Sequence, residues 1–331
     1  MTPGGVFLDG ANAVKEQDWW WPVAVVGEEQ AGPQPVVLLG EALVLWASDA
    51  GPPSLLTDRC PHRGTRLSLG KVRGDTLECP YHGWRFSGAG QCLAVPAQPG
   101  FVPPASTAAA CHGLQASHGL WWASLGGRAF HPLPDLQGLP ARRLVYGPFD
   151  VATSAPRAVE NFLDTSHFAF VHEGWLGDAQ HPEVPPYDVV HTADGRPVIE
   201  SYQAWQPRAS ATAAGGAWVT YRYEVLSPFA ALLTKRGDGD APQDSYVVWA
   251  CPQTPESCRL WFAQYTTDTH TPDDVLRNFQ VDIFGQDQPV LESQQPKRLP
   301  ISGGEAMVAA DRLSAAYRRY LKQCEITFAV C

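Results

Sequence analysis

Two short segments of the chain each combine a cysteine, a proline and a histidine. They read Cys60-Pro61-His62 and Cys79-Pro80-Tyr81-His82, with sixteen residues between them. Thiolate and imidazole groups are metal ligands, and the prolines stiffen the turns that carry them. This donor set fits either a structural zinc ion or a [2Fe–2S] cluster with two thiolates on one iron and two imidazoles on the other. Zinc fingers usually pair Cys with Cys and His with His, whereas each segment here holds one of each, so the cluster is favoured.

Neutral imidazoles give such a cluster a less negative charge than four thiolates would. Its reduction potential therefore rises to roughly −150 to +300 mV. A one-electron donor to an oxygen-activating iron needs a potential in that region. The cluster alone moves electrons, so an oxygenase also requires a second iron with open coordination positions.

A second group of metal-binding side chains lies near the middle of the chain. His167 and His172 are five residues apart, and Asn161 and Asp164 precede His167 at three-residue intervals. Two histidines and one carboxylate can form a facial triad on non-haem iron, which leaves positions open for O2. Five residues of ideal helix rotate two side chains by about 140°, so we predict a helix over 158–171 that carries His167, with His172 just beyond its end. Asn161, Asp164 and His167 would share one face of that helix.

The third ligand has to come from a distant part of the chain. Asp282 lies in a predicted helix over 271–284, and Asp287 follows that helix. Gly285 and Pro289 predict a local break in which a carboxylate can turn inward. The break favours Asp287, and Asp282 is then a charge on the helix surface.

The elements that must position these residues differ between the two parts of the chain. Residues 19–130 consist of short β-type runs separated by Gly and Pro, which indicates an all-β domain. Residues 131–157 are rich in Pro and Gly, and we assign them to a linker. Residues 158–331 combine aromatic-rich strands with predicted helices over 158–171, 271–284 and 308–323, which indicates an α+β domain.

Composition limits the possible partners. The 331 residues are 44% hydrophobic and 18% charged, which excludes a disordered chain. The formal net charge of −10 argues against a nucleic-acid partner or an anionic membrane. No apolar run approaches the ~18 residues of a membrane span, and the first residues do not resemble a secretory signal, so we expect a cytoplasmic protein. Arg318, Arg319 and Lys322 form a small basic face that is either simply solvated or docks an acidic electron donor.

The residues that follow the cysteine of each segment point to a known family. The segments 60–70 and 79–86 closely resemble the Rieske domain of ring-hydroxylating and demethylating non-haem iron oxygenases. Gly64, Gly83 and Trp84 match the cluster-binding loops of that domain.

The second group of residues resembles the same family. The segment 160–172 matches its Asp-x2-His-x4-His iron motif, preceded by Glu-Asn as in the family. Asp287 stands seven residues before Gln294-Gln295, as the third ligand of the family stands before a Gln-Gln segment. The chain resembles vanillate and dicamba O-demethylases, and it is most similar to the toxin-tailoring Rieske hydroxylases of cyanobacteria.

The resemblance implies a site for each metal group and a fold for the C-terminal domain. A [2Fe–2S] Rieske cluster would be bound by Cys60, His62, Cys79 and His82, and a mononuclear Fe(II) by His167, His172 and Asp287. Asp164 would carry electrons from His82 of a neighbouring subunit, and Asn161 would belong to the catalytic group. Alternatively, Asp164 only orients His167 within its own chain. The C-terminal domain would hold an antiparallel sheet flanked by helices, of the helix-grip type.

The implied activity is that of a terminal monooxygenase. It would use O2 to hydroxylate a C–H bond, or to demethylate oxidatively, a small aromatic or heterocyclic molecule. No dinucleotide-binding motif is present, so a separate NAD(P)H-dependent reductase or ferredoxin is implied. Electron transfer between subunits implies a ring, most simply a homotrimer. The alternatives are a cis-dihydroxylating dioxygenase, whose subunits are usually longer, and a non-catalytic electron carrier or zinc protein.

Overall fold

The computed structural model describes residues 16–28, 32–48, 51–126, 131–208, 210–211, 215–237 and 243–331. The chain divides into two compact units. The first comprises the described residues of 14–133 together with 252–254, and the second those of 134–251 and 255–331. We call them the cluster unit and the catalytic unit.

The cluster unit is built from short antiparallel strands. Its three sheets have the strand orders β1-β10-β9, β2-β3-β4 and β5-β6-β7-β8. The strands are β1 (Trp21–Val25), β2 (Gln34–Leu38), β3 (Glu41–Trp46), β4 (Ser54–Thr57), β5 (Lys71–Arg73), β6 (Thr76–Glu78), β7 (Arg85–Phe86), β8 (Cys92–Ala94), β9 (Gly113–Ser117) and β10 (Leu120–Ser124). The unit also contains 3₁₀ turns at Glu16–Asp18, Leu67–Leu69 and Ala105–Thr107.

Both ligand segments of the cluster unit begin at one shared hydrophobic core. Leu56 on β4 and Leu77 on β6 are fully buried, and each lies a few residues before a predicted ligand cysteine. Cys60 and Cys79 belong to the same buried cluster as these leucines and Phe86. Burial of the flanking apolar residues therefore fixes the positions at which the two segments leave the sheets.

The catalytic unit contains a single seven-stranded sheet with the order β11-β17-β16-β15-β14-β13-β12. Its strands are β11 (Arg142–Val151), β12 (Val190–His191), β13 (Pro197–Gln206), β14 (Ala217–Ser227), β15 (Ala230–Gly237), β16 (Gln243–Thr254) and β17 (Ser257–Thr266). The helices are α1 (Ala155–Leu163), α2 (Phe168–Val171), α3 (Asp273–Ser293) and α4 (Arg312–Gln323), the last preceded by a 3₁₀ turn at Ala309–Asp311. Helices α1, α3 and α4 pack against strands of the sheet, and α1 also contacts α3 and α4.

The predicted fold class, a β domain followed by a sheet-containing domain with few helices, is confirmed. The predicted helix over 308–323 corresponds to the 3₁₀ turn and α4. One difference concerns residues 142–151, which lie in the predicted linker but form the sheet strand β11. Gly147 and Pro148 inside this strand hide its alternation of apolar and polar residues, and the strand has an irregular register at that point.

Ion pairs between arginine and glutamate side chains connect helix α4 to α1. Arg318 donates to both carboxylate oxygens of Glu160 at 2.6 and 2.8 Å and to Glu305 at 2.6 Å. Arg157 on α1 also donates to Glu305, at 2.6 Å. Arg318 is only 8% exposed, so it does not contribute to a basic face on α4. Its partners place it in the core, where the charges compensate one another.

Across the residues that the structure describes, no helix is both long enough and apolar enough to cross a membrane.

Candidate metal centres

The two ligand segments of the cluster unit have the same backbone hydrogen bonds. The N–H of each cysteine donates to the carbonyl five residues later, and its own carbonyl accepts from the N–H four residues later. These distances are 2.8 and 2.8 Å for Cys60, and 2.8 and 3.1 Å for Cys79. The residues at the fourth position, Gly64 and Gly83, have φ angles of +74° and +70°, which glycine adopts at little cost. The two turns therefore hold their cysteine and histidine residues in the same backbone geometry.

The donor side chains of these turns lie close together. Cys60 and Cys79 are both 2% exposed, and burial, together with the contact with Cys79, raises the pKa of the Cys60 thiol to about 11. The rings of His62 and His82 lie 4.6 Å apart, and His62 stacks on Trp84 at 4.5 Å. The Nδ1 atom of His62 is buried without a hydrogen-bond partner among the described residues.

These features match a bound metal cluster. Burial favours the neutral form of these thiols, so two buried thiolates require a metal whose positive charge neutralises them, as iron would. The buried Nδ1 of His62 would then have a ligand role. Four donors on one tetrahedral zinc would lie within roughly 3–4 Å of one another, whereas these four side chains do not form a compact group of metal donors among the described residues. A group larger than a single ion fits the spacing better.

In the catalytic unit, the two predicted histidine ligands flank α2. His167 occupies the N-cap position of this four-residue helix and His172 its C-cap position. The predicted continuous helix over 158–171 is wrong, because α1 ends at Leu163 and Asp164 is extended, with φ −73° and ψ 130°. Asn161 is therefore on α1, but Asp164 and His167 do not continue its face.

The side chain of Asp164 provides the reason for this break. Its Oδ1 accepts hydrogen bonds from the backbone N–H of Ser166 at 2.8 Å and from the Ser166 hydroxyl at 2.6 Å. An aspartate that bonds the backbone two residues later offers the chain a turn in place of a helix. The turn brings the Nδ1 of His167 to 3.5 Å from Oδ2 of Asp164.

Helix α3 supplies the carboxylate. Asp287 is buried at 7% exposure, whereas Asp282 is exposed on the same helix. The predicted break at Gly285 and Pro289 is wrong, because α3 runs without interruption to Ser293 with Pro289 inside it. Pro289 removes only the hydrogen bond to the carbonyl of Gly285, and the remaining turns keep the helix together. Asp287 lies within the continuous helix and faces the two histidines.

His167, His172 and Asp287 meet at one point. The Oδ1 atom of Asp287 lies 3.5 Å from Nε2 of His167 and 3.4 Å from Nε2 of His172. Among the described residues, this is the only group of three or more His, Cys, Asp or Glu side chains with donor atoms within 4.8 Å of one another. Two imidazoles and one carboxylate are the donor set of a non-haem iron facial triad.

Neighbouring groups orient these donors. The Nδ1 of His172 lies 2.7 Å from Oε1 of Gln286, and Asn161 donates through Nδ2 to Oδ1 of Asp287 at 3.3 Å. The oxygen acceptor at Nδ1 of His172 places the ring proton there and leaves the Nε2 lone pair free for a metal. The carboxylate of Asp164, 3.5 Å from Nδ1 of His167, favours the same orientation of that ring. Burial lowers the pKa of His167, but the carboxylates of Asp164 and Asp287 outweigh burial and raise it. No pattern in the sequence indicated Gln286, whose role depends on the position of α3.

A mostly apolar cavity opens onto the three donors. Its walls come from α1, α3 and the sheet, and include Tyr146, Ala158, Phe162, Phe168, Leu176, Tyr221, Leu233, Lys235, Tyr246, Phe262, Phe279, Gln280, Ile283 and Phe284. Burial raises the pKa values of Tyr146, Tyr221 and Tyr246, so their hydroxyls stay protonated. A pocket with aromatic walls and a few polar groups is suited to a small planar molecule.

Comparison with known proteins agrees with both centres. A model of the Rieske [2Fe-2S] domain matches residues 19–109, and a model of the vanillate O-demethylase oxygenase C-terminal domain matches residues 151–325. The chain is 32% identical to methylxanthine N3-demethylase NdmB from Pseudomonas putida, over 93% of this chain and 89% of that protein.

Two solved structures share the fold. NdmA from Pseudomonas putida CBB5, solved with caffeine, superposes with a TM-score of 0.80 at 29% identity and covers 92% of this chain and 90% of its own. Dicamba monooxygenase bound to 3,6-dichlorosalicylic acid has a TM-score of 0.78, covering 93% and 97%. Because the sequence identity is only 22%, this similarity shows a shared fold and nothing more.

A cluster domain followed by a catalytic domain with a carboxylate and two histidines defines an iron-dependent oxygenase with two metal centres. This chain belongs to the Rieske non-haem iron oxygenases. It contains a Rieske [2Fe–2S] domain, and its family uses a mononuclear iron at the catalytic site. The predictions of family, enzyme class and cofactors are thereby confirmed.

Proposed function

We propose that this chain is the terminal oxygenase of a system that demethylates or hydroxylates a small aromatic or heteroaromatic molecule. The observation that carries the proposal is the convergence of His167, His172 and Asp287 on one point of an aromatic cavity. The matched family model is named for O-demethylation and the relative NdmB for N-demethylation. Demethylation is therefore the reaction we favour.

The proposed ligands fall into two sets, one for each metal centre. Cys60, Cys79, His62 and His82 would hold the cluster, and His167, His172 and Asp287 the mononuclear iron. When bound, these groups supply single electrons and activate O2 for insertion into a C–H bond. In the overall reaction, one methyl group, O2, two electrons and two protons give a hydroxymethyl group and water. When the hydroxymethyl group is bound to oxygen or nitrogen, the bond between its carbon and that atom then breaks. The hydroxyl proton is transferred to the oxygen or nitrogen, and formaldehyde leaves.

The residues around the donors would set the geometry of this reaction. Gln286 would accept from the ring N–H of His172, and the carboxylate of Asp164 lies 3.5 Å from Nδ1 of His167. Together they would keep both Nε2 atoms directed at Asp287. Asn161 bonds the carboxylate of Asp287 and limits its rotation. The aromatic rings hold a planar substrate and exclude bulk water from the reacting carbon.

The experiment that tests this activity couples the iron-loaded protein to a reductase and measures O2 uptake and formaldehyde together. The substrates are methylxanthines and methoxybenzoates, with unmethylated xanthine and benzoate as controls. Equal amounts of formaldehyde and O2 consumed would support demethylation. A cis-diol product would indicate the dioxygenase alternative, and no O2 uptake by a fully loaded protein would contradict the proposal.

We further propose that electrons reach the iron from another subunit and enter the system from a separate reductase. The His82 ring is exposed on the cluster unit, and the Asp164 side chain is 29% exposed next to His167. An exposed imidazole in one chain and a carboxylate beside the iron ligand of the next would form the path. In a closed ring each chain would make one such contact with the next, and the ring we propose is a homotrimer.

Mixed oligomers test the path between subunits. Chains with Cys79→Ala and chains with Asp287→Ala, each inactive alone, are co-expressed with different tags, and the mixed species is purified. In every mixed trimer, whether two-to-one or one-to-two, one contact in three pairs an intact cluster with an intact iron site, so about a third of the normal activity is expected. Complete inactivity of the mixed species would show that each chain uses its own cluster.

A further inference from the structure

The surface around the two ligand turns of the cluster unit is basic, although the whole chain is acidic. Residues 59–85 contain six Lys and Arg but only two Asp and Glu, a net charge of +4, whereas the formal net charge of the chain is −10. All six basic residues are exposed: Arg59, Arg63, Arg66, Lys71, Arg73 and Arg85. A local positive field of this kind attracts a negatively charged partner.

Four of these six side chains are not paired with a carboxylate. Lys71 and Arg73 lie 3.3 and 3.5 Å from the carboxylate of Glu78 and share it. Asp58, at the start of the first turn, is 5% exposed and accepts from the backbone and the hydroxyl of Ser68 instead. Among the described residues the other four have no ion-pair partner, and we call them the arginine group: Arg59, Arg63, Arg66 and Arg85.

The arginine group lies next to the proposed ligands of the cluster. Each member is within four residues of a proposed ligand along the chain, and Arg63 directly follows His62. The Nε atom of Arg59 lies 3.6 Å from the point that a Cβ atom would occupy at Gly64, so this side chain lies against the first turn. A protein that binds these charges would therefore be close to the cluster, and electron transfer between two proteins requires such proximity.

A second exposed surface of the cluster unit is apolar and lies beside His82. Tyr81 is 63% exposed, and its ring is 3.9 Å from the ring of His82. The loop after β8 reaches the same turn, since Cγ of Pro96 is 3.2 Å from the point that a Cβ atom would occupy at Gly83. This loop exposes Val102 at 85%. Permanent subunit interfaces are more apolar than transient ones, so this surface suits the next subunit, and the arginine group remains for a partner that binds and leaves.

A donor of single electrons has to bind and leave twice for each substrate molecule, because the overall reaction uses two electrons. Contacts of such carriers are small, and complementary charges raise the rate of association by about 10- to 1000-fold. In each encounter the donor is oxidised by one electron and the cluster is reduced by one. This transfer is downhill from a plant-type [2Fe–2S] ferredoxin, whose reduction potential is lower than that of a Rieske cluster.

We infer that the arginine group is the docking site for an acidic one-electron carrier protein of the ferredoxin type. The inference rests on the proposed function, in which electrons come from a separate donor. It places the docking site on the cluster unit and not on α4, where Arg318 is buried. Because the contact depends on exposed charges, docking weakens as the salt concentration rises.

Reduction of the cluster by a ferredoxin tests the inference. The complete iron-loaded protein is mixed without oxygen with a reduced plant-type ferredoxin, which is a small acidic protein, and the cluster absorbance is followed by stopped flow. Between ionic strengths of about 10 and about 150 mM the Debye length falls from about 30 to about 8 Å. The second-order rate constant should fall at least about tenfold over this range. Calorimetry with oxidised ferredoxin measures the dissociation constant without electron transfer, and binding should weaken in parallel.

Two double variants with the same change of net charge locate the site. Arg59→Glu with Arg66→Glu reverses two members of the arginine group, and both the rate constant and the affinity should fall at least about tenfold at low ionic strength. Arg319→Glu with Lys322→Glu makes the same change at exposed positions of α4 and should leave both values close to normal. The cluster spectrum and complete reduction by dithionite show that each variant holds its cluster. Arg59→Gln with Arg66→Gln replaces the first variant if that one does not hold it.

The outcomes separate this inference from the proposed function. No reduction by ferredoxin, no dependence on ionic strength, or equal losses in the two double variants would overturn the inference. Dissociation of the oligomer on reversal of Arg59 and Arg66, measured by sedimentation, would also overturn it, because these arginines would then belong to the subunit contact. Arginine-dependent reduction in a protein that releases no formaldehyde from any methylated compound would overturn only the demethylation proposal. Formaldehyde release that needs a reductase but not the arginines would support that proposal and overturn the inference.

Discussion

The four donors of the cluster unit lie between residues 60 and 82, on two turns that repeat one hydrogen-bond pattern. The three donors of the catalytic unit come from the two ends of α2 and from α3, and the sequence between His172 and Asp287 contains six of the seven sheet strands in full. The first site is therefore specified by local turns on a shared core. The second exists only when α1, α2 and α3 are packed correctly, so changes in packing should affect the two centres differently.

The largest contrast is expected from removing a single donor of the catalytic unit. Asp287→Asn should lower turnover at least about a thousandfold, because a metal site supplies several kcal/mol of transition-state stabilisation. Iron content should fall from about three to about two per chain, since a [2Fe–2S] cluster holds two. The visible spectrum of the cluster should not change.

Asp282→Asn is the matched control for this substitution. Asp282 is exposed on the same helix, five residues before Asp287. Turnover and iron content should remain normal in this variant. Loss of the third iron in Asp282→Asn, with Asp287→Asn unaffected, would reverse the assignment of the carboxylate.

A second contrast concerns the buried charges that fasten α4 to α1. Arg318→Met should lower the free energy of unfolding of the catalytic unit by about 3–5 kcal/mol, because it leaves the largely buried Glu160 without the guanidinium that bonds both of its carboxylate oxygens. Urea unfolding, followed by fluorescence and by cluster absorption, measures the effect on each unit. Arg319→Met, an exposed neighbour, is the control and should change stability by less than about 0.5 kcal/mol. Equal losses in the two variants would contradict the role of the ion network.

A smaller effect is expected from a residue that only orients a ligand. Gln286→Leu removes the acceptor at Nδ1 of His172 and should weaken iron retention or turnover about 10- to 100-fold. Gln288→Leu, two residues further along α3, removes bonds to Asp150 and Glu292 instead. Metal titration of the two variants should show the loss only in Gln286→Leu. Unchanged iron affinity and turnover in Gln286→Leu would leave this glutamine without a positioning role.

The smallest effect is expected at the surface of the cluster unit. Lys71 lies 3.3 Å from Glu78 in the hairpin that leads to Cys79, but its side chain is 58% exposed. Exposed ion pairs contribute about 0–1 kcal/mol, so Lys71→Met should leave both the unfolding midpoint and the cluster spectrum close to normal. Loss of the cluster in this variant would show that the ligand turns depend on more than their own hydrogen bonds and the core.

The sequence was most informative where neighbouring residues determine the structure. The spacing of the cysteines and histidines, with glycine at matching positions, was enough to identify the cluster loops. The prediction of one helix over 158–171 failed because Asp164 bonds to Ser166, a local competition that apolar periodicity does not reveal. The predicted break in α3 failed because Pro289 can be accommodated within a long helix that packs on the sheet.

The types and order of the chemical groups were therefore determined by the sequence alone. It contained two thiol–imidazole pairs, a histidine pair and a distant carboxylate, and it separated an all-β part from an α+β part. Only the tertiary structure decided that Asp287 rather than Asp282 faces the histidines, that Gln286 orients His172, and that Lys235 points into the cavity. The physical reason is that a turn is fixed by bonds between residues close in the chain, whereas the facing of a helix or strand is fixed by the burial of residues far apart in it.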